Sequence, residues 1–572
     1  MKKILLNILI IFLTSYALST QAQIKSKVWY DGNSRVMYDR DILTGDNLDQ
    51  KDTVSTRSNG TGFSKIDLGL HFTPINEIEI SSSIRLQNDF GGMWGNRNSV
   101  TLRSLSASGV INNKIRFGIG DLFLKQSKYT LYNYSQDLSH FESDVFSFYR
   151  EYVNYENYYK ENYWRLQGIQ TNFSYNMYNI IEQIDIDAFT SRIRGAQWLG
   201  DPELLMLGGT LFIRLNEKIK IGSHYINTFE IKSTSNTDIA YFNPVFTAKF
   251  MYSDKFLDMY PLDILVEGGV SKRGWEGDGF SPETKGMFFN STFQSKINNS
   301  NLRLNFKLVD TDFRSIGAQT RRLNYSLIPS SYAYYGNSYT QRKIGLLDII
   351  SDPDIYNQRL STSLMDYNPI YSATLPYGDA TPNRIGTEVS IEEIKITGFL
   401  KLNIDAKYFT ELIGQGTTQK RNFLNGAISS KLHINKIFDI SVPIIIDASA
   451  FTENIKRSGS EFERINLKTN LISSGILVGL ADNLSLVCGS KLFSAFGNEY
   501  LIERNIYDQI IDYNTAKFDI SEMILVGGIQ YYFKKDTYIT MQYNHFNMLD
   551  NNNILEDEFS MGRLVFMFNM NL

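Results

Sequence analysis

The chain has 572 residues and a formal net charge of −4, and no basic stripe runs through it, which argues against nucleic acid as a partner. Its single cysteine, Cys488, excludes an intramolecular disulfide. Aromatic residues make up 13% of the chain and prolines number only 11, a balance that favours β-strands.

The first residues have the layout of a secretory signal peptide. A basic MKK segment precedes a hydrophobic run at 4–18 and small residues at 19–22. We therefore predict a leader over residues 1–22, with Ala22 as its last residue. The hydrophobic run is short for a retained membrane anchor, which needs about 20 apolar residues. Because no second run of that length follows, a mature chain that crosses a membrane would cross it with strands.

Beyond the leader, apolar and polar side chains alternate with a period of two. Residues 301–308, NLRLNFKL, are the clearest case, with Leu and Phe on one face and Asn, Arg and Lys on the other. Such a segment predicts an extended strand with one apolar and one polar face. The same pattern recurs at 65–72, 77–87, 205–214, 394–405 and 464–477.

Short and long connections alternate between the predicted strands, as in outer-membrane barrels with short periplasmic turns and long extracellular loops. The two longest loops cover 124–161 and 314–383. With a first strand at roughly 25–38 and a short turn at Glu392–Glu393, both chain ends fall on the side of the short turns. We predict that residues 23–572 form an all-β domain, a single large antiparallel transmembrane β-barrel of about 22 strands, within a range of about 18 to 24.

A soluble β-sandwich would show the same segregation of apolar and polar side chains. Strands often longer than ten residues favour the barrel, because membrane strands need about 9–11 residues and strands in globular proteins average about 5–6. In a barrel of this size, the polar face lines an interior that side chains cannot fill. The residues predicted to face this lumen are Lys65, Asp67, Arg85, Arg303, Lys307, Lys401, Asp405, Arg464 and Lys468.

Tyrosines are concentrated in the two longest loops. Tyrosine combines a flat apolar face with a polar tip, so a cluster of this kind suits a surface that binds sugars or a partner protein. An aromatic girdle, packing of the loops on themselves or folding into the lumen would explain the same residues. The predicted loop surface consists of Tyr152, Tyr155, Tyr158, Tyr159, Tyr163, Trp164, Tyr332, Tyr334, Tyr335 and Tyr339.

Three segments resemble outer-membrane proteins of the Bacteroidota: DFGGMWGNRNSV at 89–100, GIGDLFLKQSKYTLYN at 118–133 and LPYGDATPNRIG at 375–386. The resemblance covers about a quarter of the chain. It implies a barrel of the cell outer membrane that is porin-like or associated with type IX secretion. The chain departs from TonB-dependent transporters, because too few residues precede the first predicted strands for an N-terminal plug domain.

Enzyme motifs are poor, so we predict no catalytic residue, no metal site and no cofactor. The sequence lacks His-Glu-x-x-His, Gly-x-Ser-x-Gly and a phosphate-binding loop. Acidic clusters at 310–312 and 351–354 could offer oxygens to calcium, but solvated loop acids explain them better.

The combined features predict a passive or gated conduit for hydrophilic solutes through a polar lumen. The alternative is a non-conducting accessory or binding barrel, in type IX secretion or surface-polymer handling, that uses the tyrosine-rich loops. An outer-membrane enzyme is a third possibility. The partners we expect are outer-membrane lipid, small hydrophilic solutes or glycans, and other envelope proteins.

Overall fold

A computed structural model describes most of the chain, and the predicted leader lies outside the described residues. The described residues are 27–44, 58–91, 98–134, 141–158, 160–177, 180–196, 202–231, 239–256, 260–277, 281–297, 299–318, 323, 334–335, 338–339, 344–356, 360, 362, 368–505, 509–534, 536–552 and 558–572.

Twenty-two of the described strands form one sheet in which sequence neighbours pair antiparallel. These strands are β1 Lys27–Thr44, β2 Ser58–Ile75, β3 Ile78–Asp89, β4 Asn98–Ile111, β5 Ile115–Leu124, β6 Trp164–Asn176, β7 Gln183–Arg194, β8 Glu203–Arg214, β9 Ile219–Ile231, β10 Ala240–Phe256, β11 Tyr260–Glu276, β12 Glu283–Ile297, β13 Ser300–Val309, β14 Arg384–Thr397, β15 Leu400–Thr410, β16 Asn422–His433, β17 Ile444–Arg457, β18 Ile465–Ala481, β19 Leu484–Arg504, β20 Ile510–Lys534, β21 Thr537–Asp550 and β22 Glu558–Asn571.

The sheet closes on itself, because β1 pairs with β22 from Asn33↔Asn571 to Thr44↔Ser560 as well as with β2. The predicted all-β class, antiparallel pairing, closure and strand number are thereby confirmed.

The first strand is longer than predicted and ends at Thr44. The short turn predicted at Glu392–Glu393 is wrong, because β14 continues through a bulge there and turns after Thr397. Glu393 takes a left-handed backbone conformation, with φ of +56°, which accommodates the bulge.

The outer face of the barrel is apolar around its whole circumference. Residues directly opposite in an antiparallel sheet share a face, so Leu304 of β13, Phe293 of β12 and Ile264 of β11 form one continuous outer row. Large apolar side chains that are exposed on this face include Ile66, Ile169, Leu211, Phe250, Ile404, Ile428, Ile476, Leu525, Met541 and Phe566.

The described parts of residues 125–163 and 310–383, together called the plug, pack against the inner face. The first part contains helix α1, Ser147–Glu156, preceded by a 3₁₀ turn at Asp144–Phe146. The second contains helix α2, Leu346–Ser351, with 3₁₀ turns at Ile316–Ala318 and Pro369–Tyr371, and pairs Tyr334–Tyr335 with Ser338–Tyr339.

Two apolar cores hold the plug against the wall. Val145, Tyr149 and Leu346 pack against inward residues of β15–β22 and β1, whereas Tyr129 and Phe313 pack against β5–β10, β12 and β13. Elsewhere, a short helix α3, Ile434–Ile437, forms the turn after β16. None of the helices in the described ranges has the length and apolar character needed to cross a membrane.

Candidate functional site

The end of α1 docks on the wall through Glu156. Its carboxylate accepts hydrogen bonds from Arg85 of β3, at 2.6 and 3.1 Å, and lies 3.5 Å from the Lys65 ammonium of β2. Asp67 of β2 accepts from the same Arg85, at 2.7 and 2.8 Å, and from the hydroxyl of Tyr155. Alternating inward positions on adjacent strands therefore form a compact charge network with the helix.

A second ion-pair cluster joins the two parts of the plug to each other and to the wall. The carboxylate of Asp379 lies 2.8 Å from the ammonium of Lys128, which belongs to the first part of the plug. It also accepts a hydrogen bond of 2.9 Å from Lys307 of β13. Asp379 and Lys307 are both buried, so each charge depends on the other for compensation.

A third contact joins the segment before α1 to β19. Glu142 accepts a hydrogen bond of 2.9 Å from Lys491 of β19 and is paired with Arg150 of α1. Burial alone would raise the pKa of Glu142, but the neighbouring cations outweigh burial and hold this pKa below its usual value.

The same balance lowers the pKa of two further plug acids. For Glu156, the desolvation caused by burial is outweighed by Arg85 and Lys65. For Asp379, desolvation is outweighed by Lys128 and Lys307. Each carboxylate therefore stabilises docking at any pH above its unfolded pKa of about 4, and this stabilisation is lost as pH falls through the lower folded pKa.

Docking of the plug is accordingly expected to be unchanged between pH 7 and 5 and to fail only below about pH 4. An environment-sensitive label at Asn154→Cys on α1, in a Cys488→Ser background, would report docking through its quenching by acrylamide. The same label at Glu217→Cys, in an exposed turn, is the control. A rise in quenching at position 154 already between pH 7 and 5 would contradict these ion pairs as the docking contacts.

The plug leaves a groove of about 370 Å³ between itself and the inner face of β5–β8. Phe189 and Phe212 supply apolar surface on the wall, and Tyr163 supplies aromatic surface from the plug side. The polar lining carries both signs of charge and several uncharged hydrogen-bonding groups. It consists of Arg116, Lys125, Gln126, Gln170, Asn172, Ser174, Asp185, Asp187 and Thr210.

Seven of the nine residues predicted to face the lumen have positions on the inner face. Lys65, Asp67, Arg85 and Lys307 form the plug contacts described above. Arg303 lies close to Glu388 and Asp379, and Asp405 lies 3.5 Å from the ammonium of Lys407. Lys401 shares the face of Asp405 on β15 but is solvent-exposed.

The other two predicted lumen residues are corrected. Lys468 of β18 is exposed and lies on the outer face, opposite the outward-facing Phe496 of β19. The inward positions beside Lys468 are Leu467 and Thr469, and Leu467 is fully buried against the plug. Arg464 is exposed and precedes β18. Because the plug offers an apolar surface here, β18 places its apolar side chains inward and Lys468 outward, the reverse of the predicted pattern.

The tyrosines of the first loop line the inside of the barrel instead of an outer binding surface. Tyr152 is buried, Tyr155 donates to Asp67, and Tyr158 donates to the Arg103 carbonyl at 2.8 Å. Trp164 is the first residue of β6, and its indole donates to the carbonyl of Gly317 at 2.7 Å. Tyr163 lines the groove. Tyr159 and Tyr332 lie outside the described residues, as do the side chains of Tyr334, Tyr335 and Tyr339.

Sequence reasoning missed the acids that dock the plug, Glu142, Glu156 and Asp379. It also missed Arg103 of β4, whose guanidinium donates to the Asp67 carboxylate and to the Tyr155 carbonyl of α1. The three acids lie in predicted loops, where no periodicity indicates the direction of a side chain. The signal that could have helped is the length of the 314–383 connection, which suggests packing over or into a lumen. It does not indicate which acid meets which wall cation.

No protein-family model matches the chain, and no curated protein matches it. Among solved structures, the chain is similar to a BenF-like porin from Pseudomonas fluorescens Pf-5, with 7% identity, 96% of this chain and 99% of that chain covered, and a TM-score of 0.34. It is also similar to OccK2 (OpdF) from Pseudomonas aeruginosa in complex with glucuronate, with 8% identity, coverage of 96% and 98%, and a TM-score of 0.35. OpdK of the same organism, with vanillate, gives 8% identity, coverage of 95% and 99%, and a TM-score of 0.34. A likeness at this level carries neither a family nor a substrate over to this chain, and the Bacteroidota resemblance stays a prediction.

Proposed function

We propose that the chain is an outer-membrane β-barrel that conducts small hydrophilic solutes along its inner wall, past a docked plug. The observation that carries the proposal is the polarity of the wall, which is apolar outside and charged inside. Each large apolar side chain gains about 1.5–3 kcal/mol when removed from water, and soluble monomers rarely expose apolar patches above a few hundred Å². A lipid bilayer would cover a band that surrounds the whole barrel.

The height of the apolar band supports the same placement. On β20, outward positions from Met523 to Phe533 carry Leu525, Ile529 and Tyr531, with Gly527 among them. Ten residue steps at about 3.3 Å, tilted by about 40°, give a height of about 25 Å. This matches the apolar band of outer-membrane barrels, which is about 25 Å tall. The short turns then lie on the periplasmic side, and export would use the predicted leader.

The groove is the segment of the lumen best suited to a solute. Its volume lies at the lower end of the range for small-molecule sites, about 300–1,000 Å³. Its lining offers amides, hydroxyls and charges of both signs beside aromatic rings, which suits a compact solute with several polar groups. The rival binding barrel relied on outward tyrosines, and the described tyrosines of the first loop face the wall instead.

Swelling of proteoliposomes in sugars of graded size would test the conduit. Thr210→Trp places a large ring in the groove and is expected to slow swelling severalfold for small sugars. Leu211→Trp is the matched control, because Leu211 is the next residue of β8 and faces outward. Equal rates in the two variants, or no swelling with the wild-type barrel, would contradict conduction through the groove.

A further inference from the structure

The barrel wall lacks a backbone ladder along part of one seam. β5 pairs with β4 only from Ser106 to Ile111, over six positions, against nine in the next shortest ladder of the barrel. β4 nevertheless begins at Asn98, and its residues before Ser106 pair with β3. The last four residues of β5 pair with β6. The β4–β5 seam therefore separates beyond the Ser106↔Gly120 pair, in the half away from the turn that joins the two strands.

The local backbone fits this separation. Gly120 lies at the last paired position and has φ of +100°, and a Cβ there would come within 2.3 Å of the Leu105 carbonyl oxygen. Only glycine fits such a close approach in a left-handed conformation. On β4, a register shift at Arg103 marks a bulge, and bulges commonly end pairing and redirect a side chain.

Side chains close the separated part of the seam. The Arg103 carbonyl accepts from the hydroxyl of Tyr158 at 2.8 Å and from the guanidinium of Arg165 at 2.6 Å. The Asp121 carboxylate accepts from the Leu105 N–H at 2.7 Å and pairs with Arg165 at 2.9 Å. We call Arg103, Asp121, Tyr158 and Arg165 the latch.

Tyr158 is the central member of the latch. Its ring lies between two guanidinium groups, 4.2 Å from that of Arg103 and 4.0 Å from that of Arg165. Its φ of +56° is uncommon for a bulky residue and persists only where surrounding contacts hold it. Because the closure consists of side chains and a strained loop residue, it can open without breaking a strand pair.

The two sides of the seam differ in chemistry. On the outside, Leu102 is 61% exposed and Leu105 is 47% exposed. Phe123, in the separated part of β5, is on the same outer side, since it is 38% exposed between the buried Leu122 and Leu124, and it borders the mouth of the groove. The ammonium of Lys160 lies 5.7 Å from the Phe123 ring, and that of Lys125 lies 5.1 Å from the Tyr163 ring. Within the described residues, neither lysine forms an ion pair.

We propose that the β4–β5 seam is a lateral opening through which an anionic amphiphile with one apolar chain passes between the groove and the surrounding lipid. This role goes beyond the proposed solute conduit but rests on the same membrane placement. The apolar chain would follow Leu102, Leu105 and Phe123, while the anionic head would meet Lys125 and Lys160. A wholly polar solute would gain nothing here, because entering hydrocarbon removes its hydration.

Two maleimides distinguish a lateral route from the axial lumen. In a Cys488→Ser background, Asn172→Cys places a thiol in the groove. N-dodecylmaleimide reaches this thiol from the lipid phase, and a sulfonated maleimide reaches it from water. Tyr158→Ala is expected to speed labelling by the dodecyl reagent about tenfold, since two cation–π contacts and one hydrogen bond of the latch are lost. Labelling by the sulfonated reagent should stay unchanged.

Arg165→Gln breaks the same stack and gives a second latch variant with the same expectation. The matched control is Arg192→Gln, which removes an arginine from an exposed pair with Glu203 and should change neither rate. Equal acceleration of both reagents, or of neither, in the latch variants would overturn the lateral opening. Labelling of wild-type Cys488 by the dodecyl reagent checks membrane placement separately, so its failure would reject the proposed function and not the seam alone.

Discussion

Replacing Glu156 with glutamine is expected to free helix α1 from the barrel wall. The substitution keeps the shape of the side chain but removes the charge that compensates Lys65 and one of the two carboxylates paired with Arg85, and both cations are nearly buried. Breaking one partner of a buried ion pair costs about 3–5 kcal/mol. At about 1.4 kcal/mol per tenfold, the undocked population of the plug should rise by about two orders of magnitude or more.

Trypsin provides the readout for Glu156→Gln, because Arg150 lies within α1 and becomes cleavable when the helix leaves the wall. The initial rate of cleavage after Arg150 should increase in proportion to the undocked population. Glu151→Gln is the matched control on the same helix, since among the described residues Glu151 accepts a hydrogen bond only from the Tyr538 hydroxyl, at 3.3 Å. A rate in Glu156→Gln that equals the rate in Glu151→Gln would show that the ion pairs do not dock the helix.

Asp379→Asn is expected to loosen both parts of the plug at once, because Asp379 links Lys128 of one part to Lys307 of the wall. Two lysines lose a partner, and one of them, Lys307, is buried. We expect docking to weaken by about 3 kcal/mol, the lower end of the cost of breaking a buried pair, because Lys128 is partly exposed. Single-channel recordings should then show larger and noisier conductance than in the wild type.

The double variant Asp379→Asn, Lys307→Gln tests the cause of this effect. Removing both partners avoids an unpaired buried charge, so the double variant should conduct more nearly like the wild type than Asp379→Asn alone does. Asp354→Asn, at an exposed position of the plug, is the control and should leave conductance unchanged. Independent, additive effects of the two substitutions would rule out the proposed coupling.

Much of the wall could be predicted from the sequence, because a barrel strand shows its two environments through alternate residues. The segment 301–308 illustrates this directly: Leu304 and Phe306 are exposed on the outer face, whereas Asn305 and Lys307 are buried inside. The strand number followed from the alternation of short and long connections. The predicted strand number is correct although the turn was misplaced at Glu392–Glu393, because the bulge there and the true turn after Thr397 lie in the same pair of strands.

The plug could not be predicted in the same way, because its contacts depend on long-range pairing. Lys468 shows the consequence: Leu467 faces inward because plug residues offer it an apolar surface, so the lysine faces outward. The tyrosines of 152–158 show it again, since each finds its partner on strands distant in sequence. Composition alone could not choose between an outer binding surface and an inner docking surface.

The central claim is that hydrocarbon surrounds the outer face, and the native Cys488 tests it without any substitution. Cys488 is exposed on the outer face of β19, where Ile476 and Gly527 lie opposite it on the adjacent strands. Lys468→Cys, in a Cys488→Ser background, places a thiol on the same face beyond the apolar band.

In proteoliposomes, N-dodecylmaleimide should label Cys488 while a sulfonated maleimide leaves it unmodified, and the sulfonated reagent should readily label Lys468→Cys. Labelling of Cys488 by the sulfonated reagent at the rate found for Lys468→Cys would mean that water bathes this face, which would contradict the account.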